Sequence, residues 1–252
     1  MALTMGTKKL RTKAGVKEYS VPLATYGNFS FVSAPPKTQK TFFISLITSI
    51  YLNEGNKFGG KMKAFRDGRC VIHFDTEQGK FHAQKVFERI ANMSNLKKNN
   101  KDYFTFALRT INHKMRTEFI DHFLSKTKNP GLIIIDGIAD LCPDTNNIQE
   151  SNTVVQKVME WSANYKCHII TVIHSNLSNH GIERPTGHLG SFLEKKAETH
   201  IQLEPDEQKK LIKVKCKRSR NFPFKDFFFS INDFGFPQIV DESFDPLKDL
   251  TL

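Results

Sequence analysis

Ser33-Ala34-Pro35-Pro36-Lys37-Thr38-Gln39-Lys40-Thr41 sets a lysine and a hydroxyl side by side between two apolar runs. The run before it (Phe29, Phe31, Val32) alternates and predicts a short strand. The run after it, from Phe42 to Leu52, predicts a buried helix. Such a helix start leaves its first-turn amides without intrahelical partners, and its dipole attracts anions. Strand, tight loop and Lys-Thr at a helix start is the layout of a phosphate-binding P-loop. In it, Lys40 reaches the β- and γ-phosphates and the Thr41 hydroxyl ligates Mg²⁺. Residues Ala34, Pro35, Pro36, Lys37, Thr38 and Gln39 form the cradle. Against the pattern G-x-x-x-x-G-K-[ST], Ala34 and Gln39 replace glycines, which serve there to let the backbone take unusual dihedrals and approach a phosphate closely. Ala34 is a mild change and Gln39 the serious one.

Three further polar groups close predicted strands downstream. Asp75 and Glu77 follow the apolar run 70–74, Asp136 follows Leu132-Ile133-Ile134-Ile135, and His174 follows the run 167–173. In an open α/β sheet, ligands sit beyond the carboxyl ends of the strands, so these groups and the loop are expected at one edge. An aspartate at the end of a strand, following a P-loop in the chain, is placed to hold Mg²⁺ directly or through water. The same residue could instead only cap the next turn.

The elements that must position these groups alternate. Strands are expected at 29–32, 70–74, 103–108, 132–135, 167–173 and 199–203, with helices at 42–52, 80–95, 112–126, 150–164 and 191–198. Runs 211–217, 226–231 and 237–240 alternate like antiparallel strands. In the helices, Phe81, Val86, Phe87, Ile90 and Met93, then Met115, Phe119, Ile120 and Phe123, are expected to face inward. The fold class is thus α/β, a mostly parallel sheet with helices on both faces and an antiparallel C-terminal edge. Residues 1–20 are basic and without period and are expected as a flexible or loosely docked arm, with residues 21–252 a single domain.

At 252 residues with 39% hydrophobic content, the chain can bury a sizeable core. No uninterrupted apolar run long enough to span a bilayer and no signal-peptide pattern is evident, which points to a cytoplasmic protein without membrane partners. Cys70, Cys142, Cys167 and Cys216 lack metal or redox spacing. The net charge of +11 favours a polyanionic partner, most simply nucleic acid. Basic residues cluster at 8–17, 55–69, 97–101 and 209–220, whereas 233–252 is acidic.

Taken together, residues 28–240 resemble the RecA-like P-loop ATPases, and more narrowly the RepA-type and replicative-helicase branch of hexameric ATPases. Some relatives of that branch are carried on plasmids and mobile elements. The resemblance implies ATP and Mg²⁺ as ligands, with Thr41 and Asp136 at the metal. In Phe74-Asp75-Thr76-Glu77 it implies that Glu77 acts as general base, with Asp75 as the rival. Ile173-His174-Ser175-Asn176 resembles the strand end whose Gln or His senses the γ-phosphate. Lys217-Arg218-Ser219-Arg220-Asn221 resembles a stretch that reaches a neighbouring subunit's nucleotide, with Arg220 as an arginine finger and Arg218 as a second contact. The alternative for residues 209–220 is a basic DNA-binding or solvent face. The implied partners are DNA, single-stranded by preference, and further copies of the chain in a ring of the hexameric kind. The channel would be lined by residues 175–189, including Asn179, His180, Arg184 and His188. The implied function is a DNA-stimulated ATPase acting as a replication or mobilisation factor. A nucleotide-binding or DNA-binding assembly module without catalysis is the alternative, and a small-molecule kinase is less favoured.

Overall fold

The aliphatic run Leu132-Ile133-Ile134-Ile135 is buried throughout, as expected of a central strand covered on both faces. In this computed structural model the described residues are 1–13, 15–54, 62–177, 183–206, 208, 210–241 and 243–244. In chain order the elements are β1 (Leu3–Thr12), β2 (Gly15–Ala24), β3 (Phe29–Ala34), α1 (Lys40–Leu52), β4 (Met62–Ala64), β5 (Cys70–Asp75), α2 (Lys80–Met93) and β6 (Tyr103–Ala107). They continue with α3 (His113–Lys126), β7 (Pro130–Asp136), a 3₁₀ turn (Ile138–Leu141), α4 (Ile148–Asn164), β8 (His168–Leu177), β9 (Glu183–Pro185) and α5 (Gly187–Lys196). The last four are β10 (Thr199–Asp206), β11 (Leu211–Ser219), β12 (Phe227–Ile231) and β13 (Pro237–Val240).

The large sheet runs β13-β12-β11-β10-β3-β8-β7-β5-β6, with β9 hydrogen-bonded to β8 off that path. From β6 to β10 neighbouring strands on this path are parallel, and from β10 to β13 they are antiparallel. The expected sheet, with its antiparallel C-terminal edge, is therefore present. Two apolar clusters lie on its two faces. One gathers α1 with Val86 and Ile90 of α2. The other gathers Ile120 and Leu124 of α3, Val155, Val158 and Trp161 of α4, and Leu189 and Leu193 of α5.

Helix α1 is buried nearly all round, which its uniformly apolar sequence requires. The sheet covers one side of it. On the same side of the fold, a small antiparallel sheet, β2-β1-β4, adds Leu3, Met5, Val21, Leu23 and Met62 to the cluster. This corrects the expectation for residues 1–20. They form a β-hairpin with β2, pinned at its base by alternating buried residues too few to register as a period. Two helix faces also differ from expectation. Phe81 and Met115 are exposed (64% and 51%), each lying in the first turn of its helix. Asn112 caps α3 by accepting from the Met115 amide, and Asn147 caps α4 through the amides of Gln149 and Glu150.

Gly131, at the entry of β7, is a close-approach position. A Cβ there would sit 2.1 Å from the Tyr51 hydroxyl and 2.5 Å from Arg69 Cβ. Tyr51 is fully buried and hydrogen-bonded to Tyr26 at 2.6 Å, so it has little room to yield. Gly131→Ala is expected to lower stability by about 1–3 kcal/mol, read as a reduced denaturant midpoint at unchanged slope.

Candidate functional site

Parallel strands deliver their carboxyl ends to one edge, and four of them bring the polar groups together there. β3 ends at Ala34 beside His174 of β8, and β5 ends at Asp75 beside Asp136 of β7. The loop 35–39 then turns into α1. Thr38 bridges it by donating its hydroxyl to the Pro35 carbonyl at 2.6 Å. Lys37 and Gln39 hold left-handed backbone (φ 64° and 59°). Gln39 thus takes the conformation glycine supplies in the motif, and its exposed side chain stays outside the loop. The missing glycine changes the conformational cost of this loop and leaves its path intact.

Lys40 is buried, with 8% of its surface exposed, and its ammonium lies against the loop. Nζ donates to the Pro35 carbonyl at 2.9 Å, to the Ala34 carbonyl at 3.3 Å and to His174 Nδ1 at 3.1 Å. His174 Nε2 then donates to Glu77 Oε1 at 3.0 Å. Because Nδ1 accepts from an ammonium, the neutral ring carries its proton on Nε2, the tautomer that Glu77 needs. Burial holds the Lys40 pKa below its ordinary value, opposed by the carboxylates of Glu77, Asp136 and Glu183. The hydrogen bond from His174 holds the Glu77 carboxyl below its ordinary range, with help from the charges of Lys40 and Arg109.

Asp136 is fully enclosed, and its Oδ2 has no hydrogen-bond partner among the described residues. Burial, then the neighbouring charges of Asp75 and Glu77, push its pKa up to about 8. A buried carboxylate with an orphaned oxygen, at the strand end next to the Lys40 loop, is a place for a cation. Among the described residues no group of three acidic, His or Cys side chains is arranged to hold a metal alone. That suits Mg²⁺, which takes one or two protein oxygens and fills the rest of its shell with water and phosphate. Gly137 follows with φ 104°. A Cβ there would press on the Thr76 hydroxyl at 2.5 Å and on Asp140 at 2.8 Å, the contacts that fix the β7 end.

Asp75, the rival base, is committed elsewhere. Its carboxylate accepts from the amides of Glu77 and Gln78 and from the Gln78 side chain, capping the turn before α2. Three residues not singled out in the sequence join the site. Arg109 acts on Glu77 through its charge. Glu183 accepts from Ser175 and, at 2.7 Å, from Gln202. Asp140 accepts from Thr76 at 3.0 Å. Arg109 was legible as the first charge past β6. Glu183 was not, since only the β8–β9 pairing brings it back to the strand end.

The structure does not bring Arg218 and Arg220 to this edge. β11 runs antiparallel to β10, so its end lies with the amino-terminal edge of the parallel strands, Ser219 opposite Thr199 and Thr199 opposite Ser30. There Arg220 donates to the Lys196 carbonyl at 2.9 Å, and both arginines line a shallow pocket with Glu194, Glu198 and His200. Of the expected channel residues, Asn179 and His180 lie outside the described residues, while Arg184 and His188 are exposed.

Residues 16–179, well over half of the chain, match the AAA domain family, and the chain belongs to it. No curated protein matches the chain in sequence. Among solved structures, that of the RadB recombinase superposes with a TM-score of 0.60 at 15% identity, over 86% of this chain and 93% of that one. A second solved structure, an ATPase domain, superposes with a TM-score of 0.61 at 13% identity, over 86% of this chain and 85% of that one. At such identities the likeness is one of fold, and the fold is that of the RecA-like P-loop nucleotide-binding domains.

Two outcomes test the site. Gln39→Gly should raise stability by up to about 1 kcal/mol in urea denaturation, because relief of the left-handed strain outweighs the stability lost as the unfolded chain gains freedom. Asp136 has its folded pKa above its unfolded one. The folded state therefore keeps a proton between about pH 4 and pH 8 that the unfolded chain has released, and stability from this residue falls as pH rises through that window. Asp136→Asn should accordingly gain stability over wild type at pH 8 and show little gain at pH 4. Added Mg²⁺ should narrow the difference at pH 8 by stabilising wild type alone.

Proposed function

We propose that this chain binds Mg-ATP in the loop 34–41 and hydrolyses it, acting as an oligomeric, DNA-associated ATPase of the RepA-type and replicative-helicase kind. The observation that carries the reading is the continuous chain Lys40–His174–Glu77 at the strand-end edge, with the orphaned Asp136 carboxylate beside it. Family membership and the likeness to an ATPase domain support the ATPase class, and the likeness to a recombinase supports an association with nucleic acid.

In the proposed reaction, the amides of the loop and the α1 start bind the phosphates, and the Lys40 ammonium exchanges its loop carbonyls for phosphate oxygens. Thr41 and Asp136 would hold Mg²⁺, which when bound would offset negative charge on the phosphates. Glu77, whose carboxyl the His174 hydrogen bond holds below its ordinary range, is a carboxylate at neutral pH, and it orients and takes the proton from the attacking water. His174 touches both the phosphate-binding lysine and the base, so loss of its bond to Lys40 reports on the phosphate site. Its carbonyl also accepts from the Thr186 amide and hydroxyl at 3.0 and 2.9 Å, which ties the strand end to the start of α5. Arg218 and Arg220, at the opposite edge of the sheet, are out of reach of their own nucleotide and suited to that of an adjacent copy. A ring of copies, of the hexameric type, would use them as fingers. Single-stranded DNA in its channel and a role in replication or mobilisation complete the reading. Among the described residues no helix is long and apolar enough to cross a membrane, which suits a cytoplasmic setting.

Single-turnover hydrolysis with and without DNA tests the proposal. Lys40→Ala and Glu77→Gln should each reduce the chemical step by about 10²–10⁴-fold, and mixing Arg220→Ala with wild type should poison the assembly. In His174→Ala the Glu77 pKa rises once its donor is removed, so the acid limb of the rate profile should move to higher pH. A wild-type oligomer that binds Mg-ATP and turns none over would leave the assembly module as the function.

A further inference from the structure

The β1–β2 hairpin takes no part in the nucleotide site, yet it holds the first cluster of positive charge. Its base is built into the core through Leu3, Met5, Val21 and Leu23. Between Thr4 and Thr7 the pairing register shifts, with Gly6 at φ 69°, and such a bulge bends a ribbon away from the sheet it leaves. Beyond it, Thr7 to Ser20 is exposed on both faces, with Leu10 partly covered and residue 14 outside the described set. Side chains of directly paired residues share a face. Lys8 opposite Tyr19 and Leu10 opposite Lys17 place Lys8 and Lys17 on one face. Lys9 opposite Glu18 and Arg11 opposite Val16 place Lys9 and Arg11 on the other. Lys13 stands in the turn. Glu18 is the lone acid here, and its carboxylate accepts from Thr7 at 2.5 Å. None of the five cations makes an ion pair with a described residue. The Lys8 ammonium lies 4.0 Å from the ring centroid of Phe222, two residues past Arg220, which joins the ribbon to the exposed basic stretch at the end of β11.

We propose that this hairpin is a nucleic-acid clamp that seats in the groove of a duplex. The proposal rests on the DNA association under Proposed function and adds to it a duplex contact outside residues 175–189. A solvated basic surface needs no particular geometry, and a single strand is met by one face. Cations on both faces and at the tip of a projecting two-stranded ribbon match phosphates on both walls of a groove. The duplex major groove, about 12 Å wide, admits such a ribbon. Holding five cations on one hairpin, none ion-paired with a described residue, costs the free protein repulsion, which a polyanion removes. Anchoring of the base keeps the ribbon ordered before it binds.

The test is a fluorescence-anisotropy titration of the full chain with a short random-sequence duplex and with its separated strand, over a range of salt. Two double variants, Lys8→Gln/Lys17→Gln and Lys9→Gln/Arg11→Gln, each neutralise one face. Both should weaken duplex binding by at least about tenfold and lower the slope of log affinity against log salt by about 2. The thermal midpoint should not fall below the wild-type value, and DNA-free ATP hydrolysis should stay at the wild-type level. Wild-type affinity in both variants would overturn the clamp, and loss in only one would overturn groove seating. A larger loss of single-strand than of duplex affinity in the two variants would overturn the choice of duplex. A change in oligomeric state with duplex affinity intact would make the ribbon a contact between copies. Failure of this proposal is distinguishable from failure of the ATPase reading. A wild type that hydrolyses ATP but binds no nucleic acid overturns the clamp alone, and a duplex-binding chain without hydrolysis overturns the ATPase alone.

Discussion

The Lys40 ammonium is the point on which the rest of the molecule bears. It is a charge taken largely out of water, and such a charge persists only if acceptors surround it. Two loop carbonyls and an imidazole nitrogen do so here, with three carboxylates acting at longer range. These groups come from β3 and its loop and from the ends of β5, β7, β8 and β9, so the lysine can be satisfied only when those strands are in register. The sheet serves less as a platform than as the device that brings these dipoles to one place.

The same edge carries an unbalanced electrostatic load. Asp75, Asp136 and Glu77 crowd the ends of two neighbouring strands, and each meets it differently. Asp75 is absorbed by backbone amides and Glu77 by His174, while Asp136 has only the charge of Lys40 nearby and an Oδ2 without a hydrogen-bond partner among the described residues. Such an acid in a closed site is costly to the free protein, and a cation would relieve that cost.

Charge is also separated across the sheet. Lys40, Glu77, Asp136 and His174 occupy the carboxyl edge, whereas Arg218 and Arg220 gather at the amino edge, and the basic β1–β2 ribbon touches the segment that follows them. That separation follows from β11 being antiparallel: had it run parallel to β10, its basic end would have met the edge that holds Lys40.

Local patterning sufficed for the elements that obey one rule. The unalternating run of β7, the strand–loop–helix around Lys40 and the alternation of β11 to β13 were legible because burial on one or two faces dictates residue type directly. The order of Lys40, Glu77, Asp136 and His174 along the chain, read with the rule that strand ends share an edge, sufficed to gather them. What the sequence could not decide was contact. Whether Gln39 would distort its loop depended on a backbone dihedral and on an exit to solvent for its side chain. That Asp75 caps a turn, that Glu183 returns to the site, and that His174 bridges lysine and base all depend on register between strands far apart in sequence. The hairpin at residues 3–24 was missed for the same reason. Its few core-facing residues form no period of their own, and they become an apolar face only when α1 is there to receive them.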